Sequence, residues 1–288
     1  MGRSVVLVVN QSKPEARDAA GQVREMITRR GTLVRERDTH DPEPFPECDL
    51  LVVLGGDGTL LGQARRLAGS RVPMLGVNFG KLGFMAEFDL ESLDMHANHV
   101  FGNGSLSLKR MPKISVRVFE SHATTARFEA VCLNEAVVTA GPPFRVITVT
   151  VAIDGVTGPT FSGDGLIVST PLGSTAYNLS AGGPIVAPGV DALTLTPIAA
   201  HTLSFRPLVV PSDSPVELRL HRVNEATAEN QGTTLVLDGQ ILEPLREHER
   251  VRIESSPDGV WFVLNPRATY WDTLISKLHW AASPLAPE

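Results

Sequence analysis

The run Leu50-Leu51-Val52-Val53-Leu54-Gly55-Gly56-Asp57-Gly58-Thr59 constrains this chain more than any other. An apolar strand with no polar face has to be buried on both sides. That is the situation of a strand in a parallel sheet covered by helices. Sheets of this kind bind ligands beyond the carboxyl ends of their strands, which is where the glycines fall. Gly55, Gly56 and Gly58 carry no side chains, so backbone N–H groups can approach an anion closely. The helix-like stretch that follows adds the positive end of its dipole. Two readings stand at this point. The run is a phosphate-handling loop with Asp57 as an acid–base group in its throat, or it is a strand–helix turn in which Asp57 caps the helix.

The flanking sequence predicts an open α/β sheet. Residues 5–9 read as a buried strand. Pro14 opens a helix that Gly31 stops, with Val23, Met26 and Ile27 as its apolar stripe. Leu33-Val34 reads as a short strand and residues 73–77 as another, giving β-α-β-β-α-β order. From Lys109 the texture changes to Val, Ile, Thr and Phe in short runs, among them residues 113–119, 145–153, 216–220, 251–253 and 260–264. Asp154-Gly155 reads as a hairpin turn, and the pattern predicts a mainly β second domain. The expected division is an α/β domain over 1–108, a mainly β domain over 109–265 and a C-terminal segment, 266–288. In that segment residues 271–280 form a short helix that packs back on the first domain, and residues 283–288 fray.

Composition narrows the function. A net charge of −6 offers no basic excess for nucleic acid or an anionic membrane. No apolar run approaches the roughly 20 residues of a membrane span, and the first residues read as a strand rather than a leader. Two cysteines without metal spacing suit a reducing compartment, so a cytoplasmic protein is expected. The segment after the first strand, Asn10-Gln11-Ser12-Lys13-Pro14, has no Gly-x-Gly-x-x-Gly, which disfavours a hydride-transferring dinucleotide enzyme. No Walker-type loop occurs either.

Three further stretches carry polar groups that need partners. Residues 78–85 form a second glycine-punctuated loop after a strand, with Phe84 as a flat apolar surface. Asn134-Glu135 sits inside strand-like sequence, where an unpaired carboxylate is costly. Residues 162–184 combine one apolar strand with small polar residues and glycines, which lets a planar ligand lie against backbone. Ser174 or Thr175 would equally serve there as a helix N-cap. Asp238-Gly239-Gln240 reads as a hairpin turn.

The order of these motifs resembles the NAD kinases: Gly55-Gly56-Asp57-Gly58-Thr59, Asn78-x-Gly80-x-Leu82-Gly83-Phe84, Asn134-Glu135, then Gly163-Asp164-Gly165 through Thr175-Ala176-Tyr177, Ser180-Ala181-Gly182-Gly183-Pro184, Leu195-Thr196-Pro197-Ile198 and Arg206-Pro207-Leu208. The glycine–aspartate loop alone is shared with lipid kinases and phosphofructokinases; the segment through Tyr177 is more specific. The resemblance implies an α/β N-terminal domain with an open, mostly parallel, Rossmann-like sheet and a mainly-β C-terminal domain. It implies transfer of the ATP γ-phosphoryl group to the 2′-hydroxyl of NAD's adenosine ribose, giving NADP, with Asp57 as general base. Gly55, Gly56, Gly58 and Thr59 would face the donor phosphates. Phe84, Asn134, Thr175 and Ala176 would line an adenine pocket, Glu135 would hold ribose hydroxyls, and Asp164, Tyr177 and Ser180 would lie toward the nicotinamide. A divalent ion, Mg²⁺, would be held chiefly by ATP phosphates and not by protein side chains. The resemblance also implies a homodimer or homotetramer, and leaves polyphosphate open as a donor. Leu172 and Ser162 depart from the family's usual residues. On this reading Asp57→Asn keeps NAD binding and loses most turnover.

Overall fold

The computed structural model describes residues 2–67, 69–80, 83–202 and 204–281. Lys81 and Leu82 of the second glycine loop, and the segment 283–288 expected to fray, lie outside them. In chain order the elements are β1 (Ser4–Val9), α1 (Pro14–Thr28), β2 (Thr32–Asp38), β3 (Leu50–Leu54), α2 (Asp57–Arg66), β4 (Met74–Val77), α3 (Leu90–Phe101), β5 (Leu108–Met111), β6 (Ile114–Phe119), β7 (Phe128–Cys132), β8 (Glu135–Thr139), β9 (Ile147–Ile153) and β10 (Val156–Gly163). They continue with β11 (Gly165–Ser169), a 3-10 turn over Gly173–Thr175, α4 (Tyr177–Ser180), β12 (Ala192–Ile198), β13 (Leu208–Pro211), β14 (Val216–Arg222), β15 (Thr234–Leu237), β16 (Ile241–Pro244), β17 (Arg250–Ser255), β18 (Val260–Val263) and α5 (Tyr270–Leu278). The chain divides into two compact units, Met1–Met111 with Val260–Glu288, and Pro112–Gly259.

The first unit is an α/β layer built on a six-stranded sheet of order β2-β1-β3-β4-β18-β5. All its neighbours run parallel except β18 and β5. β3 is buried along its whole length, as its unbroken apolar run requires. Pro14 sits in the first turn of α1, where its missing N–H costs nothing, and Ala16, Ala20, Val23 and Ile27 turn one face to the core. β2 runs longer than its two apolar residues suggested because β1 pairs along it, at an edge that is largely exposed. Val260–Val263, expected among the strands of the second domain, instead pairs in this sheet, through Phe262 to Met74 and antiparallel to β5. α3 was not anticipated. Its start carries a capping box, Asp89 with Ser92, and its buried stripe is Leu93, Ala97, Val100 and Phe101.

The second unit is a β-sandwich of two six-stranded antiparallel sheets, β10-β9-β14-β17-β6-β7 and β13-β12-β11-β8-β15-β16. Alternate residues of both sheets meet in one core, among them Val116, Val149, Leu218 and Val251 from the first and Val138, Leu166, Leu195 and Leu235 from the second. Both expected hairpin turns are present. Asp154-Gly155 joins β9 to β10, Asp238-Gly239 joins β15 to β16, and all four residues have positive φ, as this tight turn requires. Among the described residues no helix is long and apolar enough to cross a membrane.

Candidate active site

Asp57 is the first residue of α2 and Gly56 its N-cap, so the aspartate does not cap the helix. Its carboxylate reaches the second glycine loop instead. Oδ2 accepts the Phe84 N–H at 2.9 Å, and Oδ1 accepts those of Met85 at 3.2 Å and Ala86 at 3.0 Å. A Cβ at Gly83 would overlap this carboxylate, so only glycine fits there. The two glycine loops are therefore one structure pinned by Asp57. A carboxylate offers about four lone-pair directions. With two N–H groups on Oδ1 and one on Oδ2, Oδ2 keeps capacity for a further donor.

The first glycine loop is braced by residues following β1 as well as by β3 and β4. Gly55 N–H bonds Val77 O at 2.9 Å, tying the end of β3 to β4. A Cβ on Gly55 would come within 2.7 Å of Thr59 Oγ1. That hydroxyl accepts from Asn10 Nδ2 at 2.9 Å. Gly58 is exposed and Gly56 half-buried. A Cβ on Gly56 would meet only Lys13 Nζ at 3.4 Å and Asn78 Oδ1 at 3.6 Å. Lys13 thus holds an ammonium over the glycine loop. Sequence reasoning used the segment 10–14 only to exclude another cofactor motif, and so missed Asn10 and Lys13. The available signal was a lysine at the carboxyl end of a buried parallel strand. Phe84 is half-buried, its ring centroid 6.3 Å from that of Tyr270 on α5. The Tyr270 hydroxyl is buried without a hydrogen-bond partner among the described residues, and burial raises its pKa.

In the second unit the site is organised by Asp238. Its carboxylate accepts the N–H groups of Leu133 at 3.1 Å, Asn134 at 2.7 Å and Glu135 at 3.4 Å. The hairpin turn is thus also a clamp on the Asn134-Glu135 pair, a role the turn motif alone did not disclose. From the other side Asn134 O accepts Thr170 N–H at 2.9 Å and Ser169 Oγ–H at 3.2 Å. A Cβ on Gly173 would overlap Asn134 O. Asn134, Glu135 and the turn carrying Thr175 and Ala176 are therefore brought together. Glu135 is only 5% exposed and its Oε2 is buried with no hydrogen-bond partner among the described residues. Burial first, and then the neighbouring Asp238, push its carboxyl up to about 8.

Neither Ser174 nor Thr175 caps a helix. Ser174 is buried, donating to Pro171 O at 2.6 Å and accepting Val186 N–H at 3.0 Å. Asn178, fully buried, donates to Ser174 O and Pro184 O and accepts from Thr194 and Thr196. This hub fixes the loop and was not singled out from sequence. Tyr177 is 47% exposed, and Ser180 is exposed on the same short helix. Asp164, also exposed, precedes β11, while Thr170 follows it. The length of that strand, roughly 17 Å at about 3.4 Å per residue, keeps Asp164 away from Glu135. Leu172 is buried, and Ser162 Oγ pairs with Thr148 Oγ1 at 3.0 Å. Among the described residues no three His, Cys, Asp or Glu side chains group as a metal site.

Family models match both parts of the chain: "ATP-NAD kinase N-terminal domain" over residues 6–105 and "ATP-NAD kinase C-terminal domain" over residues 133–264. The chain is 37% identical to the NAD kinase of Rhodopirellula baltica over 82% of its own length and 73% of that protein's. It is 33% identical to the NAD kinase of Syntrophobacter fumaroxidans over 96% and 99%. Among solved structures it superposes on an NAD kinase from Archaeoglobus fulgidus in complex with ATP, with a TM-score of 0.71 and 26% identity over 92% of this chain and 94% of that one. Yeast NADH kinase complexed with NADH shares the fold, with a TM-score of 0.83 at 22% identity over 99% and 90%.

Proposed function

Because the chain belongs to the NAD kinase family of phosphotransferases, we propose that it transfers the γ-phosphoryl group of ATP to the 2′-hydroxyl of NAD's adenosine ribose, giving NADP and ADP. The observation that carries the mechanism is the Asp57 carboxylate, held by three backbone N–H groups beside the glycine loop. Phosphoryl transfer depends mainly on positioning and charge stabilisation. A carboxylate that cannot rotate fixes the attacking hydroxyl in one direction. The remaining lone pair of Oδ2 accepts the hydroxyl hydrogen. The ribose oxygen forms its bond to the γ-phosphorus as the bond to the β,γ-bridging oxygen breaks, and the proton passes to Asp57.

The backbone of Gly55, Gly56 and Gly58, the Thr59 hydroxyl, the first turn of α2 and the Lys13 ammonium face the donor phosphates. All are groups that favour an anion. A divalent cation, Mg²⁺ in this reading, would be held chiefly by those phosphates and would neutralise their charge, while the spare lone pair of Asp57 Oδ2 is kept for the hydroxyl. Phe84 offers a flat surface to adenine. In the second unit Asn134, Thr175 and Ala176 offer polar and small groups suited to a base edge. Glu135, protonated near neutrality, donates to or accepts from ribose hydroxyls through an oxygen the fold leaves unpaired. Tyr177, Ser180 and Asp164 serve the nicotinamide side. A homodimer or homotetramer is the proposed assembly.

The test is purified protein with NAD, Mg²⁺ and either ATP or polyphosphate, with NADP read by an NADP-specific dehydrogenase. NADP formation with at least one donor is expected. NAD binding without NADP from either donor would overturn the assignment.

A further inference from the structure

We propose that the outer face of the first sheet in the second unit holds a binding site for a small oxyanion of the phosphate class. It is built around Arg219 and Arg250. The register of β14 on β17 places these two arginines directly opposite each other. Their neighbours in sequence, Leu218, Leu220 and Val251, point into the core, so both guanidinium groups lie on the outer face. Like charges directly opposed across an antiparallel pair are destabilising. One carboxylate answers both. Glu217 accepts from Arg219 Nε at 2.8 Å and from Arg250 Nη1 at 3.3 Å. Two permanent cations share one anion, which leaves a charge for a ligand to balance.

The cavity lining adds donors and no acid. A cavity of about 450 Å³ is lined by Ser121, His122, Arg219, Leu220, His221, His248 and Arg250. Among those residues are three imidazoles and two guanidinium groups but no carboxylate, in a chain whose net charge is −6. Such a gathering runs against the protein's overall charge. Arg250 is held in place by Ala123 O at 2.8 Å and by the Phe119 ring, 5.3 Å away, while its Nε is buried with no hydrogen-bond partner among the described residues. His248 has φ +69°, a conformation that side chains rarely adopt, in the tight turn that brings it to the cavity. Planar guanidinium forks match the geometry of phosphate oxygens, and imidazole N–H groups complete such a site. None of these residues lies on β8, β11 or the turn over Gly173–Thr175, so the site is separate from the Glu135 region. The inference does not depend on the proposed phosphotransfer.

The experiment is ¹H–¹³C NMR of the histidine ring signals in the full-length protein. Inorganic phosphate and pyrophosphate are titrated at one fixed pH, with chloride matched for ionic strength. Of the eight histidines, the signals of His122, His221 and His248 should move saturably with phosphate or pyrophosphate and not with chloride. Pyrophosphate bound at the glycine loop would not reproduce this, because that loop is lined by Asn10, Lys13 and Asn78. Arg219→Ser, at a largely exposed position, should weaken the apparent affinity about tenfold, the loss of one charged hydrogen bond. His122→Gln provides a second variant with the same expectation in direction. Equal shifts in chloride, or unchanged affinity in both variants, would refute the site.

Discussion

Glu135 allows the sharpest test, because its physical state in the fold is at odds with stability. The carboxyl is 5% exposed, Oε2 has no hydrogen-bond partner among the described residues, and burial beside Asp238 pushes it up to about 8 from an ordinary value of 4.5. Between those values the unfolded chain releases the proton and the folded chain keeps it. Stability therefore falls as pH rises through that window, by up to about 1.4 kcal/mol per pH unit. Glu135→Gln never ionises and has nearly the same shape. The variant should gain close to nothing at pH 4, about 2 kcal/mol at pH 6 and about 4 kcal/mol at pH 8. At pH 6 this is a rise in Tm of about 4–8 °C for a unit of this size. The assay is thermal unfolding of both proteins from pH 4 to pH 8 without nucleotide, in which other titrating groups cancel in the difference. If Glu135 serves ribose hydroxyls, the same variant should raise KM for NAD about tenfold and leave kcat nearly unchanged. A Tm gain that does not grow with pH, or a loss, would show that the fold itself supplies Glu135 with a partner.

The remaining predictions concern the first unit. Asp57→Asn should lower turnover about 10²–10⁴-fold. The sequence reading has this variant keep NAD binding, but an amide cannot accept three N–H groups in the same way, so it should also loosen residues 84–86 and raise the Kd for NAD; unchanged turnover would exclude the proposed base. Gly83→Ala forces a methyl into the Asp57 carboxylate and should reproduce the turnover loss with Asp57 still present, whereas wild-type kinetics would show that the pin is dispensable. Lys13→Met should raise KM for ATP about tenfold with NAD affinity intact, and Lys13→Arg should recover most of it. Equal effects on both substrates would remove Lys13 from the donor side.

The part of the fold legible in the sequence was the part dictated by burial and turn geometry. β3 could be nothing but a doubly covered strand, and Asp154-Gly155 and Asp238-Gly239 could hardly be anything but tight turns. β18 was misplaced because its four residues fit either sheet; only the pairing of Phe262 with Met74 decides, and pairing over such a separation is invisible in local pattern. α3 was not among the expected elements, although Asp89 and Ser92 have capping-box spacing and Leu93, Ala97, Val100 and Phe101 recur at helical intervals. At the site, single residues were legible and their couplings were not. Asp57, Asn134 and Glu135 stand out as polar groups in apolar sequence. That Asp57 bonds to residues 84–86, and that Asp238 grips residues 133–135, depends on contacts across about 30 and 100 positions of chain.

Those two couplings follow one design. In each unit an aspartate, at the start of a helix or in a turn, accepts three consecutive backbone N–H groups. Each thereby pins a short stretch of backbone to itself. Backbone N–H groups so arranged are the usual means of holding a phosphate. Here a side chain occupies them, and the loop beside it is left to the ligand. The difference lies in what stands next to the clamp. Asp57 adjoins open glycine backbone and the Lys13 ammonium, surroundings that suit a charged donor. Asp238 adjoins a buried, protonated Glu135 with an unpaired oxygen, surroundings that suit neutral hydroxyls and exclude a second anion. A phosphate beside Glu135 would face the Asp238 carboxylate, whereas the Lys13 ammonium offers a phosphate a counter-charge. The electrostatics therefore support the proposal that donor phosphates meet the glycine loop and that ribose hydroxyls meet Glu135.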